Sequence, residues 1–237
     1  MTPMSTRTTA RQRPTRCALA ALLAALALAG LAACGPSRLR LAPPETGYGP
    51  DDFSDVRDDW TRDAQDYHNI IEGRLFVSAT YHAPAFRAAW LQKAEQVFGW
   101  DGAARARAEK ESEEEARAWY TFFLAVATHD WQWNRLDSKE SIWHVWLEDD
   151  AGRKVAAASI ERLTRKRGEL AAFYPALDSF REAYLVRFPR PDGPSAAEAE
   201  KELTGPLPRI EPGTRSFSLV VTGAPAGITL TWELAPR

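Results

Sequence analysis

The ten residues "WYTFFLAVAT", 119 to 128, carry large apolar side chains on both alternating faces: Tyr120, Phe122, Leu124 and Val126 on one, Phe123 with small neighbours on the other. A strand built this way has no face to give to water. It therefore has to run through the middle of a sheet that is covered on both sides, as the central strand of a sandwich is. Such a strand needs partners, and the chain around it supplies them.

"RLFVSATYH" alternates, with Leu75, Val77, Ala79 and Tyr81 on one face and Phe76, Ser78, Thr80 and His82 on the other, and is the first convincing strand. Pro84 then opens a helix whose Phe86, Ala89, Trp90, Ala94 and Val97 form an apolar stripe. "GWDG" breaks it, and "AARARAEKESEEEARA" makes a second helix whose charge run reads as a solvated face. Beyond the central strand, "SIWHVWLEDDAGRKVAAASI" is a hairpin about Gly152, and "YLVRFPRP" alternates until Pro189 closes it. Residues 189–214 form a long loop with a short helix near "SAAEAEKEL". Two last strands flank a Gly-Pro turn, the final one with Ile228, Leu230, Trp232 and Leu234 facing in. The expected fold is mostly β: an antiparallel β-sandwich of about seven strands, or a partly closed barrel, with a two-helix insertion, 84–118, between the first two strands. An α+β layout is the alternative, with the strand after the helices parallel to the first.

The segment "DDFSDVRDDWTRDAQDYHNII" spaces Phe53, Val56, Trp60, Ala64 and Tyr67 almost helically, and reads as a helix or an irregular wrapping segment. Its aspartates lack the glycine and terminal glutamate of an EF-hand loop, which leaves them a solvated face.

At the N-terminus, Arg7, Arg11, Arg13 and Arg16 precede an uncharged run from Cys17 to Ala33. This is the charged region and short apolar core of a secretory signal, and small residues end it. The next residues, Leu31, Ala32, Ala33 and Cys34, resemble the lipobox of bacterial lipoproteins. The resemblance implies that 1–33 are removed as a signal peptide. It also implies that Cys34 becomes the mature N-terminus and carries the lipid, palmitate included, as the membrane anchor. Gly35 in place of Asp implies outer-membrane sorting in the Gram-negative cell envelope. Residues 34–50 then read as a tether and 51–237 as a single domain.

With Cys17 removed and Cys34 acylated, no thiol remains for a disulfide, a thiolate metal site or a nucleophile. The leader takes four of the 30 basic residues and none of the 32 acidic ones, leaving a mature net charge of −6. That balance argues against nucleic acid as a partner.

The motifs of nucleophilic catalysis are missing: no Gly-x-Ser-x-Gly, no Ser-x-x-Lys, and no phosphate-cradling glycine loop. His68, His82, His129 and His144 lack metal-ligand spacing, so no metal and no cofactor are expected. Asp130, Asp137, Glu140, Glu148, Asp149 and Asp178 have no spacing that selects a catalytic pair, and no catalytic residue is assigned. What remains is aromatic: Trp131, Trp133, Trp143 and Trp146 fall within 16 residues, with His129 beside them. They fill the core, or they stack on a glycan or peptide; Trp143 and Trp146 differ by three and point to opposite faces of a strand.

In "ATHDWQWN", 127 to 134, the large apolar residues change parity. The central strand is therefore expected to end near Thr128, with His129 and Asp130 pointing apart and the two indoles folding back over the core edge. Three functions fit this reading: a non-catalytic envelope module acting with an envelope or secretion partner, a carbohydrate- or peptidoglycan-binding domain, and a hydrolase or metal-dependent enzyme with an unrecognised site.

Overall fold

Apolar residues on both faces of the run 119–128 turn it into a strand with a partner on each side and a packed layer above and below. The computed structural model describes residues 38–49, 51–67, 73–164, 167–202 and 206–236. The elements in chain order are α1 (Phe53–Trp60), β1 (Thr61–Tyr67), β2 (Gly73–Tyr81), α2 (Pro84–Phe98), α3 (Gly102–Ala118) and β3 (Trp119–Thr128). They continue with β4 (Trp143–Asp149), β5 (Lys154–Ala156), β6 (Ser159–Arg162), α4 (Arg167–Phe173), β7 (Glu182–Pro189), α5 (Ala196–Glu202), β8 (Ser216–Gly223) and β9 (Gly227–Glu233). One sheet runs β1-β2-β3-β7-β6 and the other β5-β4-β8-β9, with every pairing antiparallel. The fold is a mostly antiparallel β-sandwich with a helical insertion.

Between the sheets, the alternating residues meet as the sequence pattern requires. Phe122 lies 5.5 Å from Trp232, and Tyr81 lies 5.0 Å from Phe217, centroid to centroid. Phe217 and Trp232 stack at 5.2 Å. Burying rings of this size contributes about 2 kcal/mol each, which makes this layer the main apolar reserve of a domain without disulfides. The second face of β3 does not meet a sheet. Phe123 stacks on Tyr174 at 3.7 Å, and α2 lays Phe86, Ala89 and Ala94 into the same layer. The molecule thus has helices on one sheet and a second sheet beneath it.

Four expectations need correction. The helical pair lies between the second and third strands, because Thr61–Tyr67 is a strand pairing with β2. Its residues are half-exposed charges and amides, the make-up of a protected edge strand, and carry no apolar alternation to read. The hairpin about Gly152 (φ 75°) is shorter than its apolar runs suggest. Ala157 N donates to Val145 O, but Ala158 N donates to Arg187 O, so the chain changes sheets between these two residues. The expected tether is docked at two points among its described residues: Leu39 is buried and exchanges backbone bonds with Glu233 and Ala235, and Ala85 N donates to Leu41 O. The last turn of α2 also departs from its expected stripe, since Val97 is exposed. The leader, Leu31 to Gly35 and His68 lie outside the described residues.

Candidate functional site

The outer face of the five-stranded sheet holds a pocket, and the local sequence explains both its walls and its opening. Pro84 starts α2 directly after β2, which places Arg87 one turn in, with its Nε donating to His82 O at 2.9 Å. Gly99, at φ 61°, ends α2 in the left-handed cap, and Asp101 caps α3 by accepting from Ala104 N. The helix α3 is charged all round and none of its residues is buried. Apolar packing therefore cannot hold it down, and ion pairs do so instead.

Glu115, near the end of α3, accepts from Arg87 Nη1 of α2 at 3.1 Å and from Arg187 Nε of β7 at 3.0 Å. Arg187 Nη1 also donates to Glu161 of β6 at 3.1 Å. Burial alone would raise the Glu115 carboxyl. Arg87 beside it and the bonds from both guanidiniums outweigh that and hold it below the ordinary range. A second tie joins Arg105 Nη1 to Glu95 at 2.6 Å. Helix α3 thus stands over the sheet on polar struts, with space left beneath it.

That space is a pocket of about 850 Å³. Trp90, Phe98, Trp100 and Phe173 line one side; Phe98 and Trp100 stack at 5.7 Å, and the other ring pairs among them meet edge-on or tilted at 5.5 to 6.1 Å. Phe123, Leu163 and Leu185 form the floor, with Trp119 at the end. Protein interiors are close-packed, so a largely apolar void of this size is a feature to be explained.

His82 also lines the pocket, stacked near Phe86 at 5.0 Å and bonded through Nε2 to the Tyr174 hydroxyl at 2.8 Å. Burial, then Arg87, pushes the imidazole down to about 3, so it is neutral at physiological pH. Burial raises the Tyr174 hydroxyl, which keeps its proton. The Glu115 carboxylate is held by two arginines, and Nε2 of the His82 imidazole is bonded to the Tyr174 hydroxyl. Both are occupied in holding the walls together.

The residues singled out by sequence lie elsewhere and do not form one site. Trp143 is buried, and its ring N–H donates to Trp133 O at 2.8 Å. Gly223 opposite it leaves room for that ring, since a Cβ there would sit 2.6 Å from the indole. Trp131 is 79% exposed and Trp133 borderline exposed, so the pair does not fold back over the core edge. His129 and His144 are both exposed. Asp130 accepts from Gln132 N and starts the 3-10 turn Trp131–Trp133, just after β3 ends at Thr128 as expected. Asp149 is a buried turn residue accepting from Ala151 N, Arg153 and Arg209 N.

Sequence reasoning missed Arg87, Glu115 and Arg187. Two of them left a signal: Arg87 interrupts the apolar first turns "PAFRAAWL" of its helix, and Arg187 interrupts the apolar run "YLVRFP". Glu115 is indistinguishable from its neighbours in "ESEEEAR". Among the described residues, no three His, Cys, Asp or Glu side chains are grouped to hold a metal ion, and no helix is long and apolar enough to cross a membrane. No family model, no curated protein and no solved structure matches the chain.

Proposed function

We propose that this chain is a lipid-anchored protein of the cell envelope whose domain is a non-catalytic binding module, with its ligand site in the pocket beneath α3. The observation that carries the binding half is the 850 Å³ aromatic-walled space between a strutted helix and a sheet face, in which Arg87, Glu115 and Arg187 are engaged with one another. A site of this kind offers contact area and shelter from water without an activated acid, base or nucleophile. The anchoring half rests on Leu31 to Cys34, and an envelope or secretion component is the partner class that an anchored binding module would serve.

The experiment is to isolate the lipoprotein from its own envelope, extract it with solvent, and identify small molecules that travel with it by mass spectrometry. A molecule recovered stoichiometrically from the native chain and absent from Leu185→Trp, which fills the pocket floor, supports the reading. The same yield from both chains overturns the pocket half. For the anchor, Cys34→Ser is expected to move the protein out of the membrane fraction, and unchanged fractionation contradicts it. The exposure of Trp131 keeps a second reading in view, a glycan stacking on that indole. Acrylamide quenching of its fluorescence, relieved by peptidoglycan fragments, would favour that reading.

A further inference from the structure

We propose that the ligand of this pocket is an organic cation with a bulky aromatic or aliphatic body, held by ring faces and by a negative rim. The inference deepens the binding reading above and rests on it. Its first support is the wall: Trp90, Phe98, Trp100 and Phe173 are four aromatic rings lining one side of the space. Ring faces carry the negative end of the aromatic quadrupole and attract a weakly hydrated cation, the more so where water is excluded. Its second support is the charge around them. Arg87 and Arg187 are the guanidinium groups of the lining, and both are bound to Glu115, with Arg187 bound to Glu161 as well. They are thereby neutralised within the wall, and among the described residues no other cationic side chain lines the pocket.

Glu111 and Glu114 stand on the exposed rim of α3, at the mouth of the pocket. Glu114 lies 3.8 Å from Lys110, and with both side chains mostly exposed that pair is only loosely held. An anionic ligand would meet this rim and the ring faces with the wrong sign. A neutral ligand would leave the rim unused. A cation with an apolar body uses both.

The test compares two ions of the same shape and opposite charge, tetraphenylphosphonium and tetraphenylborate. Each is titrated against the full chain in maltoside micelles, with protein-free micelles subtracted. The readouts are pocket tryptophan fluorescence and displacement of the neutral probe N-phenyl-1-naphthylamine. The expected result is a preference for the phosphonium of about tenfold or more. Glu111→Gln with Glu114→Gln is expected to cut that preference severalfold while leaving the neutral probe's affinity unchanged. Both positions are exposed on a helix, so the variant should keep its fold, which its melting temperature checks. Equal affinities, or a preference for the borate, would overturn the cation assignment while the pocket itself stands. Failure of the neutral probe to bind at all would instead count against the pocket, and the assignment would fall with it.

Discussion

Asn134 closes the stretch "ATHDWQWN", and it is the residue there that the fold depends on most. Its side chain is buried, with Nδ2 donating to Val126 O at 2.7 Å, and the Tyr184 hydroxyl donates to its backbone carbonyl at 2.7 Å. Arg162 Nη2 donates to the same carbonyl. An asparagine among aspartates and tryptophans gives no hint of this role, because the partners lie 8, 28 and 50 residues away. Asn134→Ala strands the Val126 carbonyl and should cost about 1 to 3 kcal/mol, read from chemical denaturation. His82 makes a different claim at the same scale. Its folded pKa is pushed down to about 3, whereas an unfolded histidine titrates near 6.5. Its contribution is therefore fully present above about pH 6.5. As pH falls toward 3 the unfolded state takes up one more proton, and stability drops by up to about 1.4 kcal/mol per pH unit. His82→Gln should remove that slope from the pH dependence of unfolding, and an unchanged slope would contradict the assignment.

Helix α3 is the element whose position most needs explaining. Its sequence reads as a solvated charge run, and most of it is one, with exposed i,i+4 pairs such as Glu113 and Arg117. The same composition conceals the strut, because Glu115 differs from the neighbouring glutamates only in what lies under it. Strands were more legible. Alternation in β2, β3, β7 and β9 states which side chains face in, and Ile228, Leu230 and Trp232 are buried as expected. The misses have physical causes. β1 is a charged edge strand with no apolar period, and the change of sheet between Ala157 and Ala158 falls within a run of alanines that fits either sheet equally well. For α3, Glu115→Ala should leave Arg87 without its counter-charge and Arg187 with Glu161 alone. Amide hydrogen exchange is expected to quicken across the last turns of α3 while β3 stays protected, and the loss of stability should be about 2 kcal/mol. Since the Glu115 carboxyl is held below its ordinary value, its support is present above about pH 4.3 and fades as pH falls through the lower folded value.

On the scale of the whole molecule, the two faces of the five-stranded sheet do different work. The inner face is filled by Tyr81, Phe122, Phe188 and the rings of the second sheet, and it holds the domain together. The outer face is covered by helices that do not pack down fully, and this is where space for a ligand remains. Leu39, bridged to Leu234, ties the segment that follows the proposed anchor to the edge of the smaller sheet, so the chain joins the domain firmly at the β9 end. This division between a closed core and an open outer layer is what leaves room for a ligand. Its most direct measurement is a titration of N-phenyl-1-naphthylamine, whose fluorescence rises in apolar surroundings, into the native chain and into Leu185→Trp at equal melting temperature. One saturable site in the native chain that disappears in the filled variant is the result expected. Equal binding by both chains would contradict it.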